Sequence, residues 1–343
     1  MWPAKMLRRD VIRTGLAAGG AAAAFTLGRA ANAQSQEAGM KTESALGAAS
    51  ALWPDGIRMP ISLSLMFESG AQSRFNPATP FNNFVPPEGI YDMPTISWYR
   101  YGVTEGIPRA LDLFERLKVP VTSHMSGLAV QMYPEIARSI VDAGHEAAAH
   151  GWDWSTESTM NDAEERAFIQ RNVDIIEKET GARAVGYNAP GLRGSKNILQ
   201  NLSALGFRYH IDDVSRDEPF VVQIDKKSEI AVVPYAVYLN DIRAYEARNL
   251  ADADFLDIMK RSFDRLYKEA ATRRRMMAIT MHDRLVRPEH AETMEELLLY
   301  IINKPGVRFM KKIDIADYIL KAPNAIREPI GKVYPTIPGL YQG

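Results

Sequence analysis

The chain has 343 residues, with 41 Lys and Arg against 42 Asp and Glu, no Cys, and 46% hydrophobic residues. This length suffices for one large α/β domain or two small ones. The near-neutral charge, with no basic block, argues against a nucleic-acid-binding protein. The lack of Cys excludes disulfide scaffolds, Cys-ligated metals and thiol nucleophiles.

The N-terminal segment has the pattern of an export signal. Arg8 and Arg9 precede an Ala- and Gly-rich apolar run at 15–27, and Ala31–Ala33 supplies a small-residue cleavage site. The run is too short to cross a bilayer, which needs about 20 residues. We therefore predict a twin-arginine-type signal peptide at 1–33 and an exported, periplasmic protein with no stable membrane insertion after cleavage. Cleavage there removes five cations and one anion and changes the net charge from −1 to −5.

The rest of the chain is predicted to contain a linker at 34–54, one domain at 55–322 and a Pro-rich C-terminal arm at 323–343. Within the domain, β-rich runs alternate with amphipathic helical patterns. In chain order we predict a strand at Ile61–Phe67, a helix at Thr104–Leu117, a strand at Val119–Met125, a helix at Pro134–Ala143, a strand at His145–Ala149, a helix at Asp162–Glu179, a strand at Arg183–Tyr187, a helix from Ser195 to Gly206, strands at Phe207–Ile211 and Ile230–Val233, a helix at Ala253–Ala271, a strand at Met276–Met281, a helix at Pro288–Asn303, a strand at Val307–Met310 and a helix at Asp314–Leu320. This alternation predicts an α/β fold: a distorted (β/α) barrel with seven or eight parallel strands.

In such a barrel, catalytic side chains come from the C-terminal ends of the strands. Glu68 follows the first predicted strand, His150 follows the third, and His282 follows the seventh. Ser123-His124-Met125 ends the second strand, and Asn240–Arg243 follows the sixth. We therefore expect these side chains to lie around one cavity.

The order of these strand-end motifs, over about 61–320, resembles that of the polysaccharide deacetylase superfamily. The resemblance implies a distorted barrel and the hydrolysis of non-peptide C–N bonds. It implies that Glu68 is the general base, that His282 is the general acid, and that His150 matches the first of two metal-binding histidines. Ser69 stands where the superfamily has a metal-binding Asp, and Trp154 stands where it has the second histidine.

These replacements resemble a metal-independent branch of the superfamily, which contains allantoinases and cyclic imide hydrolases. The segments that carry this closer resemblance are Ser97–Gly102, His150–Trp154, Pro234-Tyr235 and Asn240–Arg243. It implies an enzyme that hydrolyses a small, open-chain or cyclic amide, imide or ureide with a Glu base and a His acid.

A transition metal in a catalytic site takes three protein ligands, and only His150 of the superfamily's three is present. We therefore expect no cofactor, and a zinc ion with His124 and His150 as weak ligands is the alternative. The developing oxyanion then needs hydrogen-bond donors, for which His150 and the backbone N–H groups of Ser69 and Gly70 are candidates. The predicted catalytic residues are Glu68, His150 and His282.

Aromatic residues cluster in sequence near the strand ends and predict an apolar pocket large enough for one ring. Arg243 is placed to hold a carboxylate or carbonyl group. The predicted substrate-binding residues are Trp98, Trp152, Trp154, Tyr235, Asn240, Asp241 and Arg243.

Two other functions stay open at this point. The first is a metal-dependent N-deacetylase of polysaccharide or peptidoglycan, and the second is an inactive barrel that binds a glycan or small ligand. Each site residue also has a structural interpretation: Glu68, for example, could pair with an arginine such as Arg243. A small-molecule substrate is the expected partner, nucleic acid is not, and a homo-oligomer is compatible with the sequence.

Overall fold

The structure is a computed structural model, which describes residues 52–72, 79–81, 87 and 91–335. The predicted signal peptide, nearly all of the predicted linker and the end of the C-terminal arm lie outside the described residues. Among the helices of the described part, none is both long and apolar enough to cross a bilayer.

A sheet of ten strands organises the described residues. The strands are β1 (Met59–Phe67), β2 (Thr122–Met125), β3 (Glu146–Ala149), β4 (Gly186–Tyr187), β5 (Tyr209–His210), β6 (Phe220–Gln223), β7 (Glu229–Val232), β8 (Met277–His282), β9 (Val307–Phe309) and β10 (Arg327–Pro329). Their order is β10-β6-β7-β5-β4-β3-β2-β1-β8, with β9 paired to the beginning of β1. Only the β6–β7 pair is antiparallel among these strands.

The sheet returns on itself through a short bridge. Asn240, in the segment after β7, forms a parallel bridge with Thr280 of β8. The path from β8 through β1 and on to β7 therefore closes, and the predicted distorted, mostly parallel barrel is confirmed.

Helices cover the outside of this barrel. They are α1 (Met93–Tyr101), α2 (Ile107–Leu117), α3 (Gly127–Met132), α4 (Pro134–Asp142), α5 (Asp162–Thr180), α6 (Ile198–Ala204), α7 (Asp252–Glu269), α8 (Pro288–Ile302), α9 (Lys312–Lys321) and α10 (Ile330–Val333). Local sequence signals explain several boundaries: Asn161 forms a capping box with Glu164 at the start of α5, and Pro134 occupies the first turn of α4.

The residues of β1 point alternately to the apolar core under the helices and to the interior of the barrel, which holds polar side chains. Every residue of β1 is buried, and Ile61, Leu63 and Leu65 belong to the apolar core that packs under the helices. The alternate residues face the other way, where Lys312 Nζ donates to Ser62 Oγ at 2.8 Å. Polar residues are therefore accommodated inside the barrel, and Glu68, next on that face, follows at its C-terminal end.

The predicted boundaries depart from the structure in a few elements. The helical region before α2 begins at Met93, because Asp92 caps α1 and a π-helical turn at Gly102–Gly106 joins it to α2. The sequence did not predict it, since its glycines and aromatic residues have low helix propensity. Strands β6 and β10 were not predicted; β10, in the C-terminal arm, pairs with β6.

Residues before β1 also pack on the barrel. Trp53, within the predicted linker, is 1% exposed and stacks on Tyr318 of α9 with ring centroids 5.3 Å apart. Arg274 donates to the carbonyl of Leu52 at 3.0 Å and to Asn324 Oδ1 at 2.7 Å. The ordered packing therefore begins before the predicted start of the domain.

Candidate active site

A cavity of about 440 Å³ lies at the C-terminal ends of the strands. Glu68, directly after β1, His150, directly after β3, and His282, at the end of β8, all line it. Its volume is that of a site for a small molecule. The three residues that were predicted from separate motifs are thus brought together.

Glu68 is the centre of the polar network and is 3% exposed. Its Oε1 atom lies 3.0 Å from His150 Nε2, and its Oε2 atom lies 3.0 Å from an Arg284 nitrogen and 3.9 Å from His282 Nε2. Burial alone raises the pKa of Glu68, but the nearby charges of His282, His150 and Arg284 outweigh burial and lower the pKa to about 2. The carboxylate is therefore ionised at neutral pH.

His150 is held at both ring nitrogens. Its Nδ1 atom lies 2.8 Å from the carbonyl oxygen of Asn188, which can only accept, so Nδ1 carries a proton. Its Nε2 atom faces the Glu68 carboxylate, another acceptor, so that contact is a hydrogen bond only if a proton lies between the two groups. Both ring nitrogens of His150 therefore face acceptor oxygens, and the side chain is fixed beside the Glu68 carboxylate.

His282 is oriented by Asp241 from behind. Asp241 Oδ1 lies 2.6 Å from His282 Nδ1, and its Oδ2 atom accepts from the His282 backbone N–H at 2.6 Å. Burial alone lowers the pKa of His282, but the charges of Asp241 and Glu68 outweigh it and raise the pKa. His282 thus holds a proton on the side that faces the cavity.

Asp241 was predicted to bind substrate, and the structure corrects this. The carboxylate is buried and both of its oxygens are used by His282. It does not line the cavity. Asp241 is therefore a positioning residue, because the bridge at Asn240 places its side chain against the end of β8 rather than in the cavity.

Asp283 fixes the turn after β1. Its Oδ2 atom accepts from the backbone N–H groups of Glu68 at 3.0 Å and Ser69 at 2.9 Å. The N–H of Gly70 donates to Gln72 Oε1 at 2.8 Å. The backbone donors of Ser69 and Gly70, predicted to hold an oxyanion, are therefore already occupied, as buried N–H groups generally are.

Arg284 is a site residue that the sequence analysis missed. Its side chain is fully buried, and it binds Glu68 Oε2 at 3.0 Å and both carboxylate oxygens of Glu246 at 3.1 and 3.0 Å. The idea that Glu68 pairs with an arginine was sound, but the partner is Arg284 and not Arg243. The only sequence signal is its position, two residues after the strand-end histidine.

The residues at the superfamily's metal position do not fit a zinc site. Ser69 is fully buried with its Oγ atom 2.6 Å from the Tyr99 carbonyl oxygen and 2.8 Å from Asp283 Oδ2. Both nitrogens of His150 are engaged, and Trp154 offers no lone pair. In the part of the chain that is described, no group of three or more His, Cys, Asp or Glu side chains is placed to hold a metal ion.

His124, named as a weak ligand, is fully buried on β2. Neither of its ring nitrogens has a hydrogen-bond partner among the described residues. Burial, together with the charges of Lys312 and His150, lowers its pKa, so the imidazole is neutral. It does not line the cavity.

The predicted substrate-binding residues divide into two groups. Trp154, Tyr235, Asn240 and Arg243 line the cavity. Trp98 and Trp152 do not line it, and their predicted role stays a prediction.

The two excluded tryptophans have other packing partners. Trp98 lies under Arg287, whose guanidinium carbon is 4.1 Å from the ring centroid. Trp152 packs against Gly127 and under Arg171, at 3.4 Å. The chain turns at Gly151, which has φ +64°, so Trp152 leaves the strand in a direction that strand alternation does not predict.

Comparisons with known proteins agree with the fold. The family model for polysaccharide deacetylase matches residues 84–210. A candidate polysaccharide deacetylase of Schizosaccharomyces pombe is 26% identical over 291 residues, which cover 77% of this chain and 91% of that protein. A peptidoglycan deacetylase of Helicobacter pylori is 26% identical over 248 residues, covering 63% and 84%.

A solved allantoinase is similar in both structure and sequence. It has a TM-score of 0.73 and 27% identity, with 79% of this chain and 93% of that chain covered. Together with the barrel and its strand-end residues, these similarities show a hydrolase acting on non-peptide carbon–nitrogen bonds with the polysaccharide deacetylase fold, similar in sequence and structure to polysaccharide deacetylases and to an allantoinase.

Proposed function

We propose that this protein hydrolyses the C–N bond of a small amide, imide or ureide, and that it does so without a tightly bound metal ion. The observation that carries the proposal is the convergence of Glu68, His150 and His282 on one small cavity. The side chains that replace the superfamily's metal ligands, Ser69 and Trp154, support the second part, because neither offers a ligand there.

The reaction then proceeds in two proton transfers. Glu68, held in place by His150, accepts a proton from water as the water oxygen attacks the carbonyl carbon. His282 Nε2 donates its proton to the nitrogen as the C–N bond breaks. The products are a carboxylic acid and an amine from an amide, an amide from an imide, or a urea group from a ureide. Each such transfer contributes about 10²–10⁴-fold to the rate.

The oxyanion needs a donor other than the turn after β1, and Tyr235 is the candidate. Its hydroxyl lies in the cavity wall and accepts a hydrogen bond from Asn240 Nδ2, so its own proton is free to be donated. Burial raises the pKa of Tyr235, so it stays protonated. Loss of one such donor typically reduces kcat about 10²–10³-fold.

The low pKa of Glu68 argues for an activated substrate. A base whose pKa lies far below neutral pH is a weak proton acceptor, and the described residues offer no group of three ligands for a metal that would polarise the carbonyl. Ring strain in a cyclic imide or a hydantoin-like ring lowers the barrier that these groups must overcome. We therefore propose, more specifically, that the substrate is cyclic.

The test is hydrolysis of hydantoin and succinimide by chelator-treated protein. We expect turnover without added metal and a loss of at least about 10²-fold in Glu68→Gln and His282→Gln. His290→Gln is the matched control, since His290 lies outside the cavity and its Nδ1 atom contacts the Leu285 carbonyl oxygen.

Two outcomes would favour the alternatives. Turnover of N-acetylated sugar or peptidoglycan fragments that appears only with added zinc would favour a metal-dependent N-deacetylase, the activity in the name of the Helicobacter pylori relative. Binding of a glycan or small ligand without turnover of any amide would favour an inactive barrel.

We also propose that the protein is exported through its twin-arginine-type signal. The support is the motif at residues 8–33. Replacement of Arg8 and Arg9 by Lys should retain the protein in the cytoplasm, which cell fractionation would show.

A further inference from the structure

Two arginines at the cavity have no partner in the described part of the chain. Arg193 follows the turn Pro190–Leu192 after β4, and Arg243 lies in the π-helical turn Ile242–Glu246 after β7. Both line the cavity and both are exposed. Neither guanidinium has a hydrogen bond or ion pair with another described residue. They approach the cavity from different strands, so a ligand inside can contact both.

The other charges around the cavity are compensated. Glu68 is paired with Arg284 and His150, and His282 with Asp241. The remaining acidic residue in the wall is Glu157.

Glu157 is 1% exposed, and its Oε1 atom accepts a hydrogen bond from Tyr187 at 2.9 Å. Burial, reinforced by the charges of Glu165 and Asp212, raises the pKa of Glu157 to about 9, so it is neutral at pH 7. The two arginines thus give the wall a surplus positive charge.

We infer that Arg193 and Arg243 bind a carboxylate of the substrate, so that the substrate is a small amide or cyclic imide that carries a carboxylate away from the scissile bond. The guanidinium group is planar and offers paired donors that match a carboxylate. A ligand held there at one end and by Tyr235 at the other is oriented with its carbonyl toward Glu68 and His282. That the bound molecule is a substrate rests on the proposed function, whereas the binding of a carboxylate by the two arginines does not.

The test compares two probes that differ only in charge: hydantoin-5-acetate and its neutral amide, hydantoin-5-acetamide. Dissociation constants come from calorimetry and kcat/KM from product formation, both with the intact protein. We expect the protein to bind the carboxylate probe at least about tenfold more tightly than the amide probe, because hydrogen bonds to charged groups are the stronger ones. The preference should shrink as salt is raised.

Variants assign the preference to the two side chains. In Arg193→Gln and Arg243→Gln the ratio of the two dissociation constants should fall toward one. Arg243→Lys should retain part of the preference, because lysine keeps the positive charge but lacks the paired donors of the guanidinium group. Arg248→Gln is the matched control: Arg248 is also exposed and lies five residues after Arg243, but it does not line the cavity.

The possible outcomes distinguish a failure of the carboxylate site from a failure of the proposed reaction. Equal affinity for both probes, or an unchanged ratio in both Gln variants, overturns the carboxylate site even if the hydantoin ring is hydrolysed. A carboxylate preference that depends on the arginines, with no hydrolysis of either probe, supports the site and contradicts the proposed reaction. No binding and no hydrolysis of either probe overturns both.

Discussion

The pairing of His282 with Asp241 decides which proton is available in the cavity. Asp241 binds both the ring and the backbone of His282, and its negative charge stabilises the protonated ring. Glu68 carries the opposite charge across a gap of 3.9 Å. The resting site therefore holds an acid and a carboxylate side by side, separated by a distance too long for a direct hydrogen bond.

This arrangement predicts the pH dependence of kcat/KM. The pKa of Glu68 is lowered to about 2, so its ionisation does not limit activity until the pH falls far below 4.5. The pKa of His282 is raised above 6.5, so activity should decline only when the pH rises past that raised value. In Asp241→Asn the stabilising charge is lost, the pKa of His282 falls, and the alkaline decline should move to lower pH.

Initial rates between pH 4 and pH 10 would measure both profiles. A merely structural role for Asp241 would reduce the rate by the same factor at every pH. An alkaline limb that stays in place in Asp241→Asn would therefore contradict the assignment of His282 as the acid.

The π-helical turn Gly102–Gly106 is the element on which the site depends most closely. A Cβ atom at Gly106 would overlap the backbone carbonyl oxygen of Asp283, and one at Gly102 would overlap the Ser69 and Asp283 side chains. These glycines allow the turn between α1 and α2 to pack directly against the turns after β1 and β8. Gly102 of the Ser97–Gly102 motif is thus explained by close packing.

Gly106→Ala should therefore lower both stability and activity. The backbone of Asp283 must shift, which disturbs the bonds that hold Glu68 and Arg284, and we expect a loss of about 1–3 kcal/mol in the free energy of unfolding. Denaturant unfolding and kcat/KM would measure the two effects. The control is Gly331→Ala in α10, where a Cβ meets no atom within 4 Å, so the free energy of unfolding should not fall and kcat/KM should stay unchanged. Wild-type activity in Gly106→Ala would contradict the conclusion that close packing at Gly106 holds Asp283 and the site in place.

Across the whole molecule, the candidate active site and the second apolar cluster lie at opposite ends of the barrel strands β1 and β8. Glu68, His150 and His282 follow their strands, whereas Trp53 and Arg274 precede β1 and β8. Trp53 packs with Ile57, Met276 and Ile315 in a second apolar cluster. Arg274 ties this end to both the N-terminal and the C-terminal parts of the described chain.

Trp53→Ala should lower the stability of the protein without changing its activity. Removing a fully buried aromatic side chain costs about 3–5 kcal/mol, so thermal unfolding should occur at a markedly lower temperature. At 20 °C, where the variant is still folded, kcat/KM should match the wild type, and Trp53→Phe should recover much of the stability. An equal loss of activity in the folded variant would show that this end is coupled to the cavity.

Sequence patterns by themselves determined the barrel class, most strand positions and the three residues that meet in the cavity. These are local signals: apolar periodicity marks strands and helices, and parallel strands bring their C-terminal ends to one rim. The roles of Glu68, His150 and His282 stay predictions until activity is measured.

Only the tertiary structure decided which groups are paired, and therefore how they are charged. The contact between Glu68 and Arg284 joins residues 216 positions apart, and that between Asp241 and His282 joins residues 41 positions apart. It also decided that Trp152 turns away at Gly151, and that Asp283 occupies the backbone donors after β1. Side-chain direction and ion pairing depend on neighbours from distant parts of the chain, so local pattern carries no information about them.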